Sequence, residues 1–160
     1  MRLKIKKLED GAGKLCKILL PIKQEYYIGS GKAVAICTLS SFDLLEMIYR
    51  SSLMDKVLIA GRLLSENKGI DVMIGFTINH PELKRIILCG REVKGHRAGQ
   101  ALLALARNGV DSSGRIIGAA GPNPIITLCA QDVYTFRRQV QIIDLIETVD
   151  IGKIAHLLVT

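Results

Sequence analysis

The 160-residue chain has no tryptophan, and only three phenylalanines and four tyrosines. So few rings leave little to stack on unpaired bases, which argues against a nucleic-acid partner. Cysteine is sparse and scattered: Cys16, Cys37, Cys89 and Cys129 form no C-x-x-C pair, and no N-terminal apolar stretch has the pattern of a secretion signal. Free thiols in a reducing, cytoplasmic interior are expected, with Cys37 and Cys89 acting as small core hydrophobes. Long apolar runs are also missing. The longest uncharged run, Ile116 to Gln131, is interrupted by Gly118, Gly121, Pro122 and Pro124, so no transmembrane segment is expected in this chain.

Hydrophobic residues make up 49% of the chain, enough for one continuous core in a single domain. The net charge is +7, but residues 1–32 hold eight Lys/Arg against three Asp/Glu, whereas the remainder is nearly neutral. The excess therefore reads as a solvated basic arm over residues 1–24, ahead of a domain spanning 25–160.

Along that domain, apolar runs alternate with amphipathic ones. "AVAICTL" (33–39) reads as a strand, "SSFDLLEM" as a turn and helix start, and 53–67 as a second helix. "IDVMIGFTI" (70–78) and "RIILC" (85–89) read as strands, followed by a helix over 98–107 that stops at Asn108-Gly109. "RIIGA" (115–119) is expected to be a short strand, 130–138 a helix, 139–146 a final strand and 151–159 a closing helix. This order predicts an α/β fold: a single Rossmann-like domain with a mostly parallel sheet flanked by helices. Three loops, 38–41, 90–97 and 118–124, would share the carboxyl edge of the sheet, where such folds bind ligands.

One of these loops holds the residue with the clearest chemical promise. In "CGREVKGHRAGQ" (89–100), His96 is flanked by Gly90, Gly95 and Gly99. His80, before Pro81, reads as a solvated loop residue and His156 as a surface residue near a helix end. No second His, Cys or carboxylate stands at zinc-like spacing from His96. A single protein ligand suits a metal already held by a macrocycle, haem or corrinoid. The spacing of His96 and Gly99 is similar to the corrinoid-binding pattern D-x-H-x-x-G, with Lys94 in place of the aspartate that steadies the imidazole. Glu92 or a backbone carbonyl is expected to take over that task. The cations Arg91, Lys94 and Arg97 leave a nucleotide- or phosphate-binding loop at a helix N-terminus as an alternative.

The segments "ENKGI" (66–70), "ILCGREVKGHRAGQALLALARNGVD" (87–111), "IIGAAGPNP" (116–124), "RRQVQIIDLI" (137–146) and "YYIGSGKAVAICTLSS" (26–41) resemble the A subunit of tetrahydromethanopterin S-methyltransferase. The resemblance implies a corrinoid-binding α/β domain in which His96 is the lower axial ligand to the cobalt of a cobamide. It implies a methyl carrier, with cob(I)amide accepting a methyl group from methyl-tetrahydromethanopterin and passing it to coenzyme M. Other methyltransferase subunits would be the partners, in a complex at the cytoplasmic face of a membrane. Cobalt bearing a methyl group accepts an axial imidazole and cobalt(I) does not, so a glycine-flanked loop could move with methylation state. The resemblance implies that family members end in a linker and one membrane-spanning helix; this chain stops at Thr160 without either, and is expected to be either a shortened form of such a subunit or a soluble relative. A cobamide-binding protein for storage or sensing is the second reading. Thr38, Ser40, Gly118, Gly121 and Pro124 are expected near the nucleotide tail, and Gly90, Glu92, Gly95, Gly99 and Gln100 around His96.

Overall fold

A computed structural model describes residues 25–158, so the basic arm at 1–24 and Cys16 lie outside the described residues. Five strands form one sheet: β1 (Tyr26–Ile28), β2 (Val34–Cys37), β3 (Ile59–Gly61), β4 (Arg85–Gly90) and β5 (Gln141–Ile146), in the spatial order β1-β3-β2-β4-β5. Strands β2 to β5 pair in parallel, and β1 runs antiparallel at the β3 edge. Helices α1 (Phe42–Tyr49), α2 (Lys68–Asn79), α3 (Ala98–Asn108), α4 (Ala130–Gln139) and α5 (Ile151–His156) complete the α/β fold.

Pairing sorts the strand residues onto two faces. Ala35 and Cys37 of β2, opposite Ile86 and Leu88 of β4, join the larger core with Ile70, Ile74, Leu102, Leu105 and Phe136 of α2, α3 and α4. Val34, Ile36, Ile87 and Cys89 point the other way, onto Leu44, Leu45 and Ile48 of α1 and Ile154 of α5. Cys37 and Cys89 are both buried, and loss of water pushes both thiols up, that of Cys37 to about 12; they serve as core side chains. The chain steps from β2 outward to β3, then back across β2 to β4. The loops after β2 and β4 therefore meet where the sheet changes direction.

Three expected elements are corrected. The run 70–78 is helical, not a strand: Ile70, Ile74 and Thr77 form the buried stripe of α2. Polar residues just upstream start the helix, where Asn67 accepts from Lys68 N–H (2.6 Å) and Ser65 from Gly69 N–H (2.9 Å). The helix expected over 53–67 is instead a 3-10 turn (Ser52–Asp55), the strand β3 and a connecting stretch. Ala60 is wholly buried there between neighbouring strands, so lateral pairing overrides a helix-like pattern. The run 115–119 forms only isolated bridges, Val110 to Ile116 and Arg115 to Ile125, outside the sheet.

The loops at the carboxyl edge are zipped together. Ser40 N–H and its hydroxyl both donate to Arg91 O (3.1 and 2.8 Å), and Arg91 N–H donates to Ser41 Oγ (2.8 Å). Gly90 has φ +78°, and a Cβ there would lie 2.2 Å from Thr38 O. Gly90→Ala is expected to cost about 2 kcal/mol or more, combining left-handed strain with displacement of the 38–41 loop. Urea unfolding measures it, and an unchanged midpoint would show that these loops are not rigidly joined.

Candidate functional site

His96 sits in the loop that leaves β4 and enters α3. Its Nδ1 lies 2.7 Å from Glu66 Oε2, while 55% of its side chain remains exposed. Glu66, on the stretch between β3 and α2, is 1% exposed. Its other oxygen accepts from Asn123 N–H (2.9 Å), in the loop 118–124. One carboxylate thus joins the approach to α2, the His96 loop and the glycine-proline loop. Burial pushes the Glu66 carboxyl up, but backbone N–H donors at Glu66 and Asn123 and the His96 ring outweigh it, leaving the group below its ordinary value. An ionised carboxylate only accepts, so Nδ1 carries the shared proton. In the neutral imidazole Nε2 then keeps its lone pair. Among the described residues Nε2 has no hydrogen-bond partner.

Glu92 does not steady the imidazole, correcting the sequence expectation. Its Oε1 accepts from Val93 N–H (2.7 Å) and Gly99 N–H (3.0 Å), and its Oε2 from Gln100 N–H (2.8 Å). The carboxylate caps α3, where the helix dipole favours negative charge. Glu92 N–H in turn donates to Glu147 Oε1 (2.9 Å). Arg97 is left-handed (φ 51°) just before α3, as are Leu39 (φ 50°) after β2 and Glu147 (φ 70°) after β5. All three non-glycine positive-φ residues among those described lie in loops at the carboxyl edge. Such strain, of about 1–3 kcal/mol per residue, gathers where function fixes the backbone.

The remaining candidates divide into those around His96 and those that brace its surroundings. Gly95 (φ +83°) is exposed, with nothing within 4 Å of a would-be Cβ, so it frees the loop without packing against anything. Gly99 is a packing position, where a Cβ would meet Leu39, Glu92 and Ile146 at about 3 Å. Gly121 presses on the histidine: a Cβ there would lie 2.4 Å from His96 O and 2.9 Å from Glu66 Cγ. Gln100 clamps the same loop, donating to Gly118 O (2.9 Å) and accepting from Ala120 N–H (2.9 Å). Buried Pro124 accepts from Ile116 N–H (2.9 Å). Thr38 is fully buried with its hydroxyl on Gly61 O (3.4 Å), and Ser40 is committed to Arg91. His80 ends α2, its Nδ1 on Phe76 O (2.8 Å) and its ring stacked on Phe76, so it is a helix-end residue and not a solvated loop one. His156 closes α5.

A sequence model of the family of tetrahydromethanopterin S-methyltransferase A subunits matches residues 18–159. The chain belongs to that family. The A subunit of this methyltransferase from Methanocaldococcus jannaschii is 38% identical over 138 residues, covering 84% of this chain and 56% of that protein. The second of the A subunits of Methanothermobacter thermautotrophicus is 43% identical over 99 residues, 61% of this chain and 54% of its own. Its counterpart in Methanothermobacter marburgensis is 38% identical over 129 residues, 79% of this chain and 67% of its own. The chain thus spans about half the length of the first two. Among the described residues no helix is long and apolar enough to cross a membrane.

Removing Glu66 tests the site's internal support. Glu66→Ala leaves Asn123 N–H and the imidazole without their buried acceptor and is expected to cost about 1–3 kcal/mol. Glu66→Gln keeps an acceptor and removes the charge. A carboxyl below its ordinary value stabilises the fold above its unfolded-state pKa, and that contribution is lost as pH falls through the folded value. Stability followed by urea unfolding should therefore fall less steeply below about pH 4.3 in Glu66→Gln than in the parent. Parallel curves would contradict the assignment of Glu66 as an ionised partner.

Proposed function

We propose that this chain is a corrinoid-binding methyl carrier subunit in which the His96 imidazole would hold the cobalt of a cobamide. The observation that carries the reading is the buried Glu66 carboxylate at Nδ1 of a half-exposed imidazole, which orients the ring and reserves Nε2 for a ligand. The donor set supports it. Among the described residues no three His, Cys, Asp or Glu side chains group as metal ligands, and a lone oriented imidazole suits a metal already held by an organic macrocycle. When bound, the corrinoid supplies a cobalt centre that accepts a methyl group and gives it up again.

The chain's own residues bind and orient. Glu66 holds the imidazole proton at Nδ1, while Gln100 and Asn123 keep the 118–124 loop against the histidine. Gly95, at φ +83° with open space around it, leaves the 90–97 loop backbone free to adjust beside His96. The methyl group would come from methyl-tetrahydromethanopterin and pass to coenzyme M, with other subunits supplying the two transfer activities. A storage or sensing protein would hold its cobamide in the same way, and methyl turnover with those subunits separates the two. The phosphate-binding alternative is disfavoured, because the α3 amides that would receive an anion, Gly99 and Gln100, already hold Glu92.

The purified chain mixed with cobalamin is expected to bind with the dimethylbenzimidazole displaced. The cobalt(II) spin resonance spectrum should then show nitrogen splitting that changes when histidine carries heavy nitrogen. His96→Ala should lose that signal and keep the fold, whereas His80→Ala and His156→Ala should retain it. A splitting unaffected by labelled histidine, or one that depends on His80 or His156, would contradict the assignment.

A further inference from the structure

The sheet ends on β5, with no strand beyond it among the described residues. Gln141 N–H donates to Lys84 O (2.9 Å) and Glu147 N–H to Gly90 O (2.8 Å), so the odd-numbered backbone groups of β5 face β4. Those of Ile142, Asp144 and Ile146 therefore turn to the outer edge. Two donors at the ends of this edge are already used. Val140 N–H closes α4 on Phe136 O (3.2 Å), and the Asp144 carboxylate accepts from Ile146 N–H (3.1 Å). The donors left facing outward are those of Ile142 and Asp144, each beside its own carbonyl. An edge with unmet N–H and C=O groups is a template for a further strand. The side chains agree: Ile142 on the larger core and Ile143 and Leu145 on the second are only half-buried, so both cores reach this edge with aliphatic surface still open.

The arrangement of the free donors is self-complementary. A two-fold axis beside Ile143 sets Ile142 of each copy opposite Asp144 of the other in an antiparallel pair. Each facing pair exchanges both its bonds, so the two donors of each copy make four hydrogen bonds and none is left over. An axis beside Asp144 would instead call on Ile146 N–H, which is taken, and would set two carboxylates directly opposite each other. An axis beside Ile142 would call on Val140 N–H, which α4 holds. A foreign strand would have to match a ladder only two donors long and blocked at both ends, whereas this chain matches it by symmetry. We propose that the chain pairs with a second copy of itself along β5, in the register centred on Ile143.

That register sets Ile143 opposite Ile143 and Gln141 opposite Leu145. Beside Leu145 lies a cleft of about 470 Å³, lined also by Asp150, Lys153 and His156, which the exposed Gln141 side chain of the second copy enters. Antiparallel pairing sends the two carboxyl edges to opposite ends of the joined sheet, so neither copy covers the His96 loop of the other. The inference stands independently of whether a corrinoid is the ligand.

Sedimentation and hydrogen exchange on the full chain test it. The mass should rise from monomer to dimer within about 1–500 µM, and a chain monomeric throughout would overturn the proposal. Over that range the Ile142 and Asp144 amides should slow by at least about tenfold, while the β4 amides stay protected at every concentration. This readout is on the parent and needs no variant. Asp144→Pro removes an N–H that faces away from β4, a place where an edge strand tolerates proline. With two of the four bonds gone, its dimer should be at least about tenfold weaker, with the β4 amides still protected. Asp144→Ala keeps the donor and should still dimerise. An alanine variant as monomeric as the proline one, or a dimer in which the Ile142 and Asp144 amides exchange freely, would contradict pairing through β5.

Discussion

The contact between Glu66 Oε2 and His96 Nδ1, 2.7 Å long, is the interaction on which the carboxyl edge depends. Three separate stretches of chain meet in it: the approach to α2, the loop after β4 and the glycine-proline loop anchored through Asn123. A nearly inaccessible carboxylate is costly unless each oxygen has a donor, and here each has one. The half-exposed imidazole gains a fixed orientation and a defined tautomer from that buried partner.

The sheet makes this meeting possible. Because β3 and β4 lie on opposite sides of β2, the loops after β2 and β4 converge, and Ser40, Ser41 and Arg91 bind them into one edge. Glu92 neutralises the amino end of α3 from within its own loop, and Gly99 allows the helix to approach Leu39 and Ile146 closely. The left-handed residues Leu39, Arg97 and Glu147 are held in place by this surrounding network. Strain, caps and cross-loop bonds therefore converge on one histidine loop.

The α/β fold and the helix over 98–108 are legible in the sequence because β-branched runs, a regular apolar stripe and a terminal glycine agree with one another. The run 70–78 reads as a strand because a continuous apolar stretch fits either period. Ser65 and Asn67, which decide it, stand outside the run. β3 is hidden because three residues of strand carry almost no periodicity, and lateral pairing alone selects them. His96 can be singled out from its glycines and its rarity. Glu66 cannot be tied to it, since a partner thirty residues away is chosen by topology and leaves no local signature. Glu92 stands nearer to the histidine along the chain, yet its oxygens are taken by the amides at the start of α3.

At the centre stands one assignment: Glu66 holds the His96 proton on Nδ1 and leaves Nε2 bare. A long-range proton–nitrogen correlation spectrum of the heavy-nitrogen-labelled chain at neutral pH reads both ring nitrogens of His96 directly. A protonated Nδ1 and an unprotonated Nε2 are expected, with that pattern lost in Glu66→Ala. A proton on Nε2, or a pattern unchanged in Glu66→Ala, would contradict it.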